Sequence, residues 1–127
     1  MRKAKNSPTI HVVGTLSDLI LGGGTQRKYE DPGNPIVIVQ IYGHPFPNTL
    51  VDLGATINIL ITETYKTLGI TALEPTTTLL ELSDHLVVRS EGTLLDVMTF
   101  VDSWEYLVYF LVINPKIQLD GHPLILG

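Results

Sequence analysis

The sequence predicts an all-β domain, a closed barrel or a sandwich. Three observations carry that expectation. Short β-branched and aromatic runs recur between turn residues along most of the chain. One segment has helical character. Hydrophobic residues make up 44% of the 127 and charged ones 17%, a composition that folds around one core rather than staying disordered.

Residues 1–34 read as a leader or linker, partly disordered. Gly22-Gly23-Gly24 and Asp31-Pro32-Gly33-Asn34-Pro35 are breakers, and residues 9–21 before them read as one strand or a short helix. The glycine run is not a phosphate loop, because no Gly-Lys-Ser/Thr follows it. The folded domain is expected over residues 35–127. Residues 36–42 are β-branched and form a strand, residues 43–47 a turn, and residues 48–51 the return strand of a hairpin. Residues 57–60 resume a strand after the turn at 52–55. The one helix is expected over 62–68: Thr62 can cap its start, Tyr65 and Leu68 share a face, and Gly69 suits its end. Strands at 77–82 and 86–90 flank the polar turn Ser83-Asp84-His85. Residues 93–101 alternate, with Asp96 out of pattern. After a turn at Asp102-Ser103, residues 104–113 make a long apolar strand whose aromatics read as core and sheet face. Asn114-Pro115 breaks it, and Asp120-Gly121-His122-Pro123 leads into Leu124-Ile125-Leu126-Gly127. No repeat of solenoid period is present.

The net charge of −5 is uneven. Residues 1–34 carry five basic and three acidic side chains, hence +2; residues 35–127 carry three basic and ten acidic, hence −7. An acidic body repels phosphate, so the domain is not expected to bind nucleic acid. The longest apolar run, residues 106–113, falls well short of the about 18 residues that span a bilayer, so no membrane partner is expected. Pro8, His11, Ser17 and Asp18 interrupt what would be the apolar core of a signal peptide. The chain has no cysteine, which removes a disulfide framework and any thiolate chemistry and fits a reducing compartment. His11, His44, His85 and His122 show no metal-ligand spacing, so neither a metal nor another cofactor is expected. Ser83, Asp84 and His85 are triad residue types, but consecutive residues do not converge into a triad, and a turn is the simpler reading.

Asp52 is the residue that asks for a reason. It lies between Leu50-Val51 and Ala55-Thr56-Ile57, in an otherwise apolar run. Ionised, buried and without partners, a carboxylate costs several kcal/mol, so it must be hydrogen-bonded, protonated or used. As a plain turn residue it would draw on Gly54 for backbone freedom. At the end of a buried strand it can instead meet backbone N–H groups freed by that turn, which orient it and keep it charged. Peptide hydrolysis by carboxyls needs two of them: held about 3 Å apart they cannot both ionise, and they share a proton. No second Asp-x-Gly-Ala occurs, so a catalytic partner would have to be the Asp52 of a second copy across a two-fold axis.

Residues 51–60, Val51-Asp52-Leu53-Gly54-Ala55-Thr56-Ile57-Asn58-Ile59-Leu60, resemble the active-site loop of retropepsin-like aspartic proteases. The likeness is nearest to the protease domain of gypsy-class long-terminal-repeat retrotransposons, in the plant-type Asp-Leu-Gly-Ala variant. The order of the other parts agrees: a hairpin before the loop, a helix ending in Leu68-Gly69 after it, a hairpin placed like the family's flap, and a closing Ile125-Leu126-Gly127 element. The resemblance spans residues 35–127. It implies a retropepsin-like closed barrel with one short helix, half of a two-fold symmetric acid protease. It implies Asp52 as the catalytic carboxylate and Gly54 as the residue that lets the backbone approach it. Leu53, Ala55 and Thr56 complete the loop, and Ser83, Asp84 and His85 form the flap tip. The activity implied is that of a homodimeric endopeptidase cutting a retroelement polyprotein, with no cofactor, inside the cell in the cytoplasm or a virus-like particle.

The family usually has Thr or Ser after the catalytic Asp, whose hydroxyl bonds across the dimer; here Leu53 stands there. The flap tip has no glycine, and in the family a helix and a dimerising strand follow the position of Gly127, so the domain is expected to be truncated at its C-terminus. These departures support the alternative of a catalytically inactive retropepsin-fold module for dimerisation or peptide binding. An unrelated all-β binding domain is the third reading, and it predicts that the strand of Gly127 lies away from the Asp52 loop.

Overall fold

A computed structural model describes residues 8–22, 34–113 and 117–127. In chain order its elements are β1 (Thr9–His11), α1 (Gly14–Ile20), β2 (Ile36–Ile41), β3 (His44–Val51), β4 (Ile59–Leu60), α2 (Thr62–Leu68), β5 (Leu79–Glu81), β6 (Val87–Val101), β7 (Trp104–Ile113), a 3₁₀ turn (Leu119–Gly121) and β8 (Leu124–Leu126). The strands follow the order β6-β2-β3-β8-β4-β7, and β7 pairs back onto β6, which closes a six-stranded barrel. β5 adds to the early part of β6 and β1 to β5, so a small second sheet projects from the barrel. None of the helices among the described residues is long and apolar enough to cross a membrane.

The hairpin before the Asp52 loop turns earlier than expected. Tyr42 and Gly43 both have positive φ, 48° and 82°, as a two-residue type I′ turn requires. Residues 44–47 are therefore strand, not turn. Pro45 and Pro47 are tolerated because β3 meets β8 only at Leu50 and Val51, leaving the proline end of the strand with a free edge. The strands expected separately at 86–90 and 93–101 are one 15-residue strand, β6. Gly92 does not break it. A Cβ there would come within 2.8 Å of the Glu74 carbonyl oxygen, and Glu74 bridges to Thr93 at that point. Asp96 is exposed on a bulge between Leu94 and Val97, with φ 52°.

α2 spans the expected residues and ends in Gly69 at φ 69°. Its start differs: Ile61 occupies the N-cap, and the Thr62 hydroxyl donates to the Ile113 carbonyl at 2.9 Å, fastening the helix to β7 rather than capping it. The fold also has a second helix within residues 9–21, where the sequence suits one strand or a short helix. Both options are realised in succession, β1 and then α1. α1 is seven residues long, starts at a glycine and has no side-chain cap. It exists because Leu16, Ser17 and Ile20 bury one face.

The core fills the barrel in two clusters. One packs Val39, Ile41, Leu60, Phe110 and Leu124 inside the β-layers. The other joins Ile57, Ile59, Ile125, Leu80 and Leu82 to Val12, Leu16 and Ile20. Residues 8–22 thus share the core with strands on the far side of the expected boundary at 34/35. The breaker runs at 22–24, 31–35 and 114–115, and the disorder expected within residues 1–34, lie wholly or partly outside the described residues. Among the β7 aromatics only Phe110 is core; Trp104, Tyr106 and Tyr109 are exposed, because β4 covers β7 only at Leu111 and Val112.

Candidate active site

The Asp52 loop sits where three short strands meet. β3 delivers Asp52, and β8 runs parallel to the end of β3, pairing Leu50 with Ile125 and Val51 with Leu126. β4 then pairs antiparallel with the other edge of β8, Ile59 with Ile125 and Leu60 with Leu124. The chain therefore leaves on one side of β8 and returns on the other, and the loop 52–58 wraps the end of that strand. The strand of Gly127 lies beside the Asp52 loop, as the retropepsin-like reading expects and the third reading does not.

Backbone hydrogen bonds fix the loop. The Asp52 N–H donates to the Leu126 carbonyl at 2.8 Å, and the Ala55 N–H donates to the Asp52 carbonyl at 2.9 Å. The Asp52 side chain is only 6% exposed, and its Oδ1 accepts the Gly54 N–H at 3.0 Å. Among the described residues no cation pairs with it. Gly54 lies outside the left-handed region, and a Cβ there would stand 3.5 Å from Asp52 Oδ1, an ordinary contact. Within one copy, Gly54 contributes its N–H. Gly127 is the sterically demanding glycine: a Cβ would come within 2.6 Å of the Ile57 carbonyl oxygen and 2.9 Å of that of Ala55.

Leu53, next to the buried carboxylate, is 77% exposed, the most exposed large apolar side chain described. Gly54 and Thr56 are exposed too and Ala55 is half-buried. The loop therefore buries its charge and presents an apolar residue outward.

Ser83, Asp84 and His85 lie at the turn between β5 and β6. The His85 N–H donates to the Leu82 carbonyl at 2.8 Å, and Asp84 Oδ1 accepts the Leu86 N–H at 2.9 Å. The three side chains serve three different partners. Ser83 meets Ser17 of α1, Asp84 holds its own turn, and His85 Nδ1 lies 3.1 Å from Glu81 Oε2. The structure unites the Asp52 loop with Ile125, Leu126 and Gly127; the turn at 82–86 is tied to α1 instead.

Three contributors escaped the sequence reading. Asn58 Oδ1 accepts the Gly127 N–H at 3.0 Å while its Nδ2 donates to the Tyr109 carbonyl at 3.2 Å, holding the loop to β7 and β8 together. Its signal was a lone amide in the run Ile57-Asn58-Ile59. Ser17 is completely buried, and Glu81 receives both His11 and His85. Ser17 had no local signal, since Ser83 is far away in sequence; of the two partners of Glu81, His11 is as distant and His85 is four residues on.

No family model and no curated protein sequence matches the chain. Among solved structures it is similar to the crystal structure of the retroviral protease-like domain of Ddi1 from Leishmania major. The TM-score is 0.54 at 17% identity, over 78% of this chain and 71% of that one. At that identity the likeness speaks for architecture. With the closed six-stranded barrel and the loop wrapped around β8, it establishes that this chain has a retropepsin-like fold.

Proposed function

We propose that this chain is half of an aspartic endopeptidase, encoded in a retroelement polyprotein of the gypsy class and completed by a second copy. One observation carries the reading: a buried carboxylate, oriented by a backbone N–H, stands directly beside an apolar residue that is 77% exposed. Leu53 suits a partner's loop, and a two-fold axis through the loops would bring the two Asp52 carboxyls together. The pair would share one proton. The ionised carboxyl takes a proton from a water, the water oxygen attacks the scissile carbonyl carbon, and the protonated carboxyl donates to the carbonyl oxygen. Collapse of the resulting diol breaks the C–N bond, with the proton passing to the leaving amine. No metal or organic cofactor is required. The substrate is an extended peptide, held between the Asp52 loop and the β5–β6 hairpin mainly by main-chain hydrogen bonds. The setting that suits such processing is intracellular, in the cytoplasm or an assembling particle.

The replacement of a loop hydroxyl by Leu53 is consistent with this assembly. Fully burying a leucine is worth about 1.5–3 kcal/mol. The lost hydroxyl bond is worth about 0.5–1.5 kcal/mol. Apolar contact across the axis can therefore replace it. The same residue favours the second reading, a dimerising or peptide-binding module without catalysis, because a leucine cannot stiffen the paired loops through a hydrogen bond.

The deciding assay is cleavage of a peptide library across about pH 4–7, alongside sedimentation at matching concentrations. Wild type is expected to cut in a pepstatin-sensitive manner, and Asp52→Asn to lose all cleavage while still dimerising. Leu53→Asp, which sets like charges against each other across the axis, is expected to be monomeric and silent. A dimeric wild type that binds peptides but cuts no more than Asp52→Asn establishes the module instead.

A further inference from the structure

We propose that residues 8–22 are a built-in strap, an internal peptide seated in the substrate cleft, so that the described conformation is a closed, self-inhibited one. The inference rests on the cleft assigned above and concerns its regulation.

The strap makes the contacts expected of a bound peptide. β1 is extended and adds to the outer edge of β5, pairing Thr9 with Leu79, Ile10 with Leu80 and His11 with Glu81. Two further backbone bonds lengthen that ladder: Val12 N–H to the Glu81 carbonyl at 2.8 Å, and Leu79 N–H to the Pro8 carbonyl at 2.9 Å. This is strand addition to a free sheet edge, the usual way an extended peptide is held. On its other side the strap meets the Asp52 loop. Ile10, Val12 and Leu16 enclose with Ala55 and Ile57 a cavity of only about 40 Å³, whereas ligand pockets run to about 300–1,000 Å³. The space between hairpin and loop is filled by the chain itself. Ile10 and Val12 turn inward while Thr9 and His11 face outward, so the cleft accepts branched apolar side chains at alternate positions of an extended peptide.

α1 then fastens the hairpin turn. Ser17 is completely buried, its Oγ accepts the Ser83 N–H at 3.0 Å, and the two hydroxyl oxygens lie 3.0 Å apart. Leu16 is buried against the cluster that contains Ile57 and Leu82. A turn bonded to α1 in this way cannot rise to admit another peptide, so entry requires the strap to leave.

The test uses the full chain, which has no cysteine of its own. Ser17→Cys combined with Ser83→Cys places two thiols where the hydroxyls already meet, so oxidation locks the strap and reduction frees it. Both changes are made in Asp52→Asn, so that binding is read without chemistry. The probe is a fluorescein-labelled peptide with the sequence of residues 8–20, followed by polarisation. The reduced chain is expected to bind it at least about tenfold more tightly than the oxidised chain, because a tethered strap competes at a high effective concentration and a locked one never yields. Leu16→Asp, which expels α1, is expected to bind more tightly than either. If that variant fails to fold, the oxidised–reduced pair decides alone. Equal binding in the two redox states, strong or absent, overturns the strap and leaves the protease standing. Redox-dependent binding in a chain whose wild type cuts nothing keeps the strap and removes the protease.

Discussion

The two walls of the proposed cleft are held by different means. The Asp52 loop is secured by main chain: Asp52 to Leu126, Ala55 to Asp52, and the end of β8 pressed against Ile57 so closely that only glycine fits at 127. Beneath it lie Ile59, Leu124 and Ile125, all without solvent exposure. The hairpin turn at 82–86 is exposed from Ser83 to Val87; the β1–β5 ladder stops at Glu81, and past it the Ser83 N–H on Ser17 Oγ and the histidine contacts of Glu81 fasten the turn. Backbone bonds backed by a dry core resist local opening, whereas an exposed turn held by one buried hydroxyl and two water-facing histidine contacts opens at smaller cost. The difference suits the proposed function, in which one wall holds a carboxylate in a fixed position and the other moves to let a peptide in.

The largest effect is expected from the core under the rigid wall. Ile125 pairs with both Leu50 and Ile59 and is fully buried. Ile125→Ala removes methyl groups from a site bounded by two strands that cannot collapse, so a loss of about 2–5 kcal/mol is expected, read as a fall in the urea midpoint at constant slope. A loss under about 1 kcal/mol would mean that β8 yields, and the contrast between the walls would weaken.

The same contrast explains what was legible in the sequence. The parts of the Asp52 wall each carry a local signal, the Asp52-Leu53-Gly54 turn, the helix closed by Gly69 and the final Leu-Ile-Leu-Gly, and each lies where its pattern placed it. The β2–β3 hairpin was legible as a pair, but its turn was shifted because Pro45 and Pro47 read as breakers until the free edge of β3 was known. β6 read as two strands because nothing in the sequence announces that Glu74 crosses at Gly92. The attachments of the flexible wall were invisible. Ser17 lies 66 residues from Ser83, and a buried serine in a seven-residue helix has no pattern that distinguishes it from a loop residue. Long-range side-chain pairs are set by how the strands stack, and that is decided only once the barrel closes.

A middle-sized effect is expected where the flexible wall is fastened. Ser17→Ala deletes the acceptor of the Ser83 N–H from a fully buried position. One hydrogen bond is worth about 1 kcal/mol net. The global midpoint should therefore fall slightly, while amide exchange at Ser83 and its neighbours should accelerate by about fivefold to tenfold, with exchange at Asp52 and Ala55 unchanged. Acceleration that spread equally to the Asp52 loop would show that the two walls open as one unit.

The smallest effect is expected at Glu81, although its carboxylate meets two histidine rings. His11 Nδ1 lies 3.0 Å from one carboxylate oxygen and His85 Nδ1 3.1 Å from the other, but the two histidine side chains are 72% and 88% exposed. Pairs open to water on one side contribute about 0–1 kcal/mol and are screened by salt. Glu81→Gln keeps an oxygen able to accept from either ring and leaves the β1–β5 ladder intact, since that ladder uses the Glu81 main chain. Its cost should stay below that of Ser17→Ala and shrink further between low and high salt, measured by denaturation at both. A larger, salt-sensitive cost would reverse the assignment: charge at the surface, rather than the buried serine, would then hold the flexible wall down, and the strap would release by weakening an ion pair instead of by withdrawing a helix.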